Sequence, residues 1–285
     1  MKPAGSFIAT LFLLFAFGAH ADSSVWKISK QGQHLFIGGT AHVLSAEDYP
    51  LPEEFEQAYS VSEKLVFEVD IEQMADPQSQ AAFAPMLVYD EGDLSTRLEP
   101  ETLDRLKRYL ESRNIPLQTV LPLKAGMATI LLTIGEMSRI GMSTKGVDEY
   151  FNARGRKDHK SMVALETVGQ QIQMLANLGK GHEDELIRQT LESFEQFDGL
   201  VASIKTAWRC GDRAGLRNSG LADMQRDPQM YQTMLVQRNH AWLPQIEKFL
   251  DTDEVEFVLV GVLHLVGDDG LLTLLEAQGY DVEQL

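Results

Sequence analysis

Cysteine is almost absent from this chain, Cys210 being the single one in 285 residues. One thiol excludes an intramolecular disulfide and any cysteine-built metal cluster within the chain. Positive charge is scarce too: 25 lysines and arginines face 42 aspartates and glutamates, for a net charge of -17. So acidic a protein repels phosphate backbones, which argues against nucleic acid as a partner. Long apolar runs are confined to the start. Lys2, an apolar stretch over residues 7–17 and then Ala19-His20-Ala21 read as a secretory signal cleaved after Ala21. That stretch falls short of the roughly 20 residues needed to span a bilayer. No cysteine stands at the cleavage site to carry a lipid, and no later segment is apolar enough to cross a membrane. The expectation is a soluble, periplasmic or secreted protein of residues 22–285 with no stable membrane insertion, its charge reaching -18 once Lys2 is lost. A zinc-protease His-Glu-x-x-His is missing, because Leu186 stands where His182-Glu183 would need a second histidine. The glycines around Gly215 and Gly220 do not make a phosphate-cradling loop.

What the chain does contain is one pattern written twice. His34-Leu35-Phe36-Ile37 leads into Gly38-Gly39-Thr40-Ala41-His42, and Glu256-Phe257-Val258-Leu259-Val260 leads into Gly261-Val262-Leu263-His264. Each reads as a β-strand ending in Gly-x-x-His, followed by a helical segment, over 52–61 and 268–278 respectively. Open α/β sheets present chemistry just beyond such strand ends. The repeat therefore predicts two imidazoles facing each other across one crevice.

Val25-Trp26-Lys27-Ile28 and the run after Gly32 predict a hairpin at a sheet edge, where Lys27 and Lys30 suit exposure. Leu65-Val66-Phe67-Glu68-Val69-Asp70 reads as a strand carrying an acid, Glu68, that burial would penalise unless it is paired or ligating. Residues 71–250 read as mostly helical, with helices over 101–112, 124–140, 146–155, 170–178, 183–205, 208–223 and from Pro228 through Trp242. A short strand over 159–164 ends at Leu165-Glu166-Thr167. Composition does not shift anywhere. The fold class is α+β: a central mixed sheet built from the two strand–Gly-x-x-His–helix units, one domain over 22–285 with a helical cap over about 71–250. The phenylalanines and methionines are assigned to the core. Met174 and Leu175 are open to a second reading as one wall of a peptide groove.

Two imidazoles and a carboxylate, His42, His264 and Glu68, make a donor set for one divalent ion: zinc, manganese, iron or cobalt. The competing reading makes each histidine a loop residue hydrogen-bonded to a neighbour. Arg238 is either a clamp for a substrate carboxylate or oxyanion, or half of an ion pair with an acid of the sheet. Glu166 is a second carboxylate acting as general base or as partner of a histidine, or else the cap of the next helix. Asp148 reads as an acid placed to suit a helix N-terminus.

Residues 36–44, the Glu68 strand, Gly146-Val147-Asp148, Ala164-Leu165-Glu166-Thr167, Arg238-Asn239 with Trp242, and residues 261–270 together resemble the TraB/GumN family, whose animal members include the Tiki proteins. The similarity spans essentially the whole mature chain. It implies a metal-dependent, protease-like enzyme, supported by manganese or cobalt in Tiki. The family's paired Gly-x-x-His motifs and strand glutamate map onto His42, His264 and Glu68. It also implies structural kinship with erythromycin-esterase-like and haem-binding ChaN-like folds. The leading expectation is an exported metal-dependent hydrolase of peptides or proteins, with Glu68, Arg238 and Glu166 in catalysis. The alternative is a binding protein that holds a small ligand, haem or a peptide in the same pocket without turnover.

Overall fold

Among the residues described by this computed structural model, 23–142 and 145–285, one mixed sheet organises the chain. It comprises β1 (Val25–Lys30), β2 (Gln33–Thr40), β3 (Lys64–Phe67), β4 (Ser161–Ala164), β5 (Glu256–Gly261) and β6 (Asp281–Gln284). Their order is β4-β3-β5-β2-β1-β6. The first four in that order run parallel, while β1 is antiparallel to both of its neighbours. The signal segment expected over residues 1–21 lies outside the described residues. Among those described, no helix is long and apolar enough to cross a membrane.

Burial explains the order. Strand β5 is buried at every position and lies between β3 and β2, as an unbroken apolar run suits the middle of a parallel sheet. Phe257 packs among Phe55, Phe151, Leu65 and Trp208 in the apolar cluster that covers the sheet. The hairpin of β1 and β2 forms as read, with Trp26 opposite Ile37, but it does not close the sheet. Strand β6 adds outside β1, pairing Ile28 with Val282, so the expected edge is interior. The sequence Asp-Val-Glu-Gln is too short and polar to announce a strand, and only pairing with β1 makes it one.

Most helices lie between β3 and β5 in sequence, as the helical spacing over 71–250 predicts, with β4 among them. A second apolar cluster, including Leu106, Leu132, Ile187 and Leu191, forms among helices Pro100–Ser112, Ala125–Arg139 and Glu183–Ser193. The continuous helix expected over 183–205 is broken by a 3-10 turn at Phe194–Gln196, where the next helix, Phe197–Arg209, begins in a new direction. That helix ends at Cys210, and Gly211 at φ +60 turns the chain, so the segment read as a helix over 208–223 is several short pieces. Six of the nine described phenylalanines are buried, in keeping with their assignment to the core. The methionines keep to it only in part: Met162, Met224, Met230 and Met234 pack against the two apolar clusters, but no described methionine is fully buried.

Candidate active site

Each of the four parallel strands hands one polar side chain to the same end of the sheet. His42 follows β2, Glu68 follows β3, Glu166 follows β4 and His264 follows β5. Glu68 is not inside its strand, which stops at Phe67; it is the first residue beyond it. The chain still runs alongside its neighbour there, since Leu165 and Glu166 donate their N–H groups to the carbonyls of Phe67 and Glu68, each at 2.9 Å. Asp70, read as part of the strand, instead caps helix Ile71–Ala75.

The two Gly-x-x-His turns are not equivalent. Thr40, not Gly39, lies opposite Gly261 across the β2–β5 pair, so the motifs are offset by one residue. His264 sits in a 3-10 turn, Val262–Leu265, and its side chain is 9% exposed, against 58% for His42. Gly261 lies on the strand between the other two and makes their meeting possible. A Cβ there would stand 3.2 Å from His42 Nε2 and 3.3 Å from Glu68 Oε1. Its N–H donates to Glu68 Oε1 at 2.7 Å.

Both imidazoles are held from behind. Asp148 Oδ2 lies 2.7 Å from His42 Nδ1. Helix Val147–Lys157 brings it there by close approach at Gly146, where a Cβ would collide with the His42 backbone at 2.4 Å. Position in a helical first turn explains the presence of Asp148 only in part; the contact that matters is tertiary. Asn239 Oδ1 lies 2.7 Å from His264 Nδ1, while its amide nitrogen donates to the carbonyls of His264 and Asp269. Those two bonds orient the amide, so its oxygen accepts, the proton resides on Nδ1, and His264 Nε2 carries a lone pair. Neither Asp148 nor Asn239 was assigned such a role from sequence, although both stand inside motifs that carry the family resemblance. Trp242 packs on the His264 ring, with centroids 4.6 Å apart.

Both Nε2 atoms face Glu68 Oε1, His42 at 3.9 Å and His264 at 4.0 Å. Glu68 Oε2 accepts from Arg238 Nη2 at 2.5 Å. Arg238 is buried, and every one of its N–H groups is engaged. Nε and Nη2 donate to Glu166, Nη2 also to Glu68, and Nη1 to the Met234 carbonyl and to His264 Nε2, the last at 3.0 Å. Glu166 thus holds the guanidinium with both oxygens, and the helix cap it might have made is supplied by Thr167. The Met234 carbonyl belongs to a π-helical turn, Gln232–Val236, immediately ahead of Arg238. Such turns free backbone groups for side chains and recur at functional sites.

Electrostatics follow from this wiring. The Asp148 carboxylate raises His42 to about 9, above its ordinary imidazole value. Burial lowers His264 to about 3, so it is neutral. Burial alone would raise the Glu68 carboxyl, but Arg238, the protonated His42 and the Gly261 N–H hold it well below the usual carboxylate range. Three carboxylates (Glu68, Glu166, Asp148) against one guanidinium and a protonated His42 leave one negative charge, and two once His42 gives up its proton to become a ligand.

The donors suit a divalent ion. Two imidazole nitrogens and a carboxylate oxygen converge, both rings are braced at Nδ1, and the residual charge is of the right sign and size. Ligands about 2.1 Å from one ion stand roughly 3.4 Å apart in a tetrahedron and at most about 4.2 Å apart. The observed spacings therefore require a small inward movement, together with release of the His264 lone pair by Arg238 Nη1. As drawn, no group of three or more such side chains among the described residues is close enough to hold an ion.

Two cavities border the site. One, of about 370 Å³, is walled by Ile134, Met137, Ile204, Met224 and Leu263. The other, of about 380 Å³, is walled by Ile71, Met74, Asp148, Glu149, Met174 and Leu175. His42, Met234 and Arg238 belong to both. Met174 and Leu175 thus border the site, where the sequence favoured plain packing.

No curated protein and no solved structure matches this chain. A family match covers residues 24–284, nearly the whole chain and every residue of the site just described, and on it the protein belongs to the TraB/PrgY/gumN family.

Proposed function

We propose that this protein is a metal-dependent hydrolase of peptide or protein substrates, with His42, Glu68 and His264 holding one divalent ion of manganese, cobalt, zinc or iron. The observation that carries the reading is the shared construction of the two imidazoles: each is anchored at Nδ1 and turns Nε2 toward Glu68 Oε1. When bound, such an ion supplies Lewis acidity and a water acidic enough to attack near neutral pH. Asp148 and Asn239 keep the imidazoles aimed. Gly261 N–H fixes the Glu68 carboxylate from the backbone side. Arg238 Nη1 is the one donor of the guanidinium that can turn to a substrate carbonyl oxygen without breaking a charge pair, since its present acceptors are a neutral imidazole and a backbone carbonyl. Glu166, committed to Arg238, is a positioning residue rather than a base. The reading includes export, with residues 1–21 as a cleaved signal and action in the periplasm or outside the cell. It also includes kinship with the erythromycin-esterase-like and ChaN-like folds.

Elemental analysis of the purified protein tests it directly. Wild type is expected to carry about one equivalent of a divalent metal and the His264→Ala variant far less. Metal-free wild type, with a His42→Ala variant that loses no activity, would end the proposal.

A second reading draws on the apolar cavities and on the full engagement of Arg238: the same pocket binds haem, a peptide or another small ligand without turnover. A Soret band on haem titration, with no cleavage of a peptide library, would favour it.

A further inference from the structure

We infer that the two cavities form one cleft for an extended polypeptide, crossed at an internal bond beside Arg238 and Glu68, and that the cavity lined by Met137, Ile204 and Met224 receives a bulky apolar side chain next to that bond. The inference rests on the hydrolase reading and names the substrate it takes.

The reacting centre borders two chambers whose walls differ except at His42, Met234 and Arg238. A pocket that trims chain ends needs a wall just beyond the bond it attacks. Here the two chambers are of similar size, about 370 and 380 Å³, so a second space rather than a wall adjoins the centre, and it is into this space that we extend the chain. Hydrolysis at that point breaks the carbonyl carbon–nitrogen bond of the peptide. The hydroxyl of one water goes to the carbon and its remaining proton to the departing amine.

The walls are methionine-rich. Met74, Met137, Met142, Met174, Met224 and Met234 line the two chambers, six of the eleven methionines of the chain. None of them is fully buried. Met224 and Met234 also pack against the apolar clusters, but all six are half-buried and line the two chambers, where they make a wall that re-forms around side chains of different shape. The chambers also differ in chemistry. The first carries, beyond the reactive residues themselves, only Lys205 as a charged group, and Lys205 is paired with Asp48 at 2.7 Å. Ile134, one of the three most exposed large apolar side chains among the described residues, stands in its wall. The second holds Asp148 and Glu149. Apolar selection therefore belongs to the first chamber, with loose rather than shape-strict preference.

The test uses internally quenched peptides blocked at both ends, identical except for one residue beside the central bond, and labelled versions of the same peptides with that bond reduced to an uncleavable amine. The wild-type protein is expected to cut the blocked peptides internally and to favour Phe, Leu or Met over Ala by about tenfold or more, the burial of one large side chain. Met137→Gln and Met224→Gln, near-isosteric changes at partly exposed positions, are expected to reduce that ratio several-fold, in cleavage and in anisotropy binding of the uncleavable series alike. Binding with this preference but no cleavage would leave the chamber assigned and overturn the hydrolase reading. Cleavage without the preference, or with a preference both glutamine variants leave untouched, would overturn the chamber. Removal of residues only from unblocked ends would overturn the internal bond, and neither binding nor cleavage would overturn the inference altogether.

Discussion

Asn239 presents its Oδ1 to His264 Nδ1 at 2.7 Å and gives both amide hydrogens to backbone carbonyls. The pair sets the tautomer of a buried imidazole before any ligand arrives. Asn239→Leu is therefore expected to weaken divalent-metal binding about 10- to 100-fold, as loss of such a support does elsewhere. It should also cost about 1–3 kcal/mol of stability, because the buried His264 carbonyl and the part-buried Asp269 carbonyl lose their donor. Calorimetric titration with Mn²⁺ or Zn²⁺ and urea unfolding separate the two effects.

Arg238 sits between two buried carboxylates, Glu68 and Glu166. Arg238→Met leaves both without their counter-charge and should destabilise the fold by about 3–5 kcal/mol. Adding Glu68→Gln to that variant should recover part of the loss, since one of the stranded charges disappears. Strict additivity of the two substitutions in urea unfolding would show that the contact carries no coupling.

At Gly261, substitution by Ala inserts a Cβ among His42 Nε2, Glu68 Oε1 and His264 Cδ2, at 3.2, 3.3 and 3.6 Å. The reacting groups must move apart by a few tenths of an ångström or more. Hydrolysis is expected to fall on the order of 10²-fold, with the unfolding midpoint little changed, because misplacement alone has that effect on catalysis. Full activity in Gly261→Ala would show that the three groups do not act together.

The two histidines predict opposite pH dependences. His42 is raised by Asp148 to about 9, so its contribution to stability is complete below the ordinary value of 6.5 and disappears as pH rises through about 9. His264 is lowered by burial to about 3, so between 6.5 and 3 the unfolded chain binds a proton that the folded chain refuses. Its share of stability falls as pH drops through that window. NMR titration of the metal-free protein should find the His42 ring titrating well above 6.5, and Asp148→Asn should bring it back toward that value. Metal uptake should release protons at neutral pH, chiefly from His42.

Much of this site was legible from local pattern. Apolar runs closed by glycine announce β2 and β5, and an acid at the end of a β-branched and aromatic run singles out Glu68. The strand ahead of Glu166 and most helices show the same way. Asp148 was visible only as a helix N-terminal acid, and Asn239 only as a neighbour of Arg238, because each acts across more than twenty residues of chain on a partner that no spacing rule connects to it. The methionines were legible only in part for a similar reason: four pack against the core as read, but the cavity that several of them line was not visible. Helical periodicity tells that a side chain faces inward from its helix, but not whether another helix or an open cleft lies opposite.

Strand–glycine–histidine periodicity, charge balance and the lone cysteine follow from residue order, since they depend on neighbours within a few positions. Which strands lie side by side does not. The insertion of β5 between β3 and β2 brings Glu68 and His42 together across Gly261, and it sets one imidazole in the dry interior and the other in the open. Hydrogen bonding between strands distant in sequence, and the desolvation that comes with it, turned two look-alike motifs into groups of opposite proton affinity.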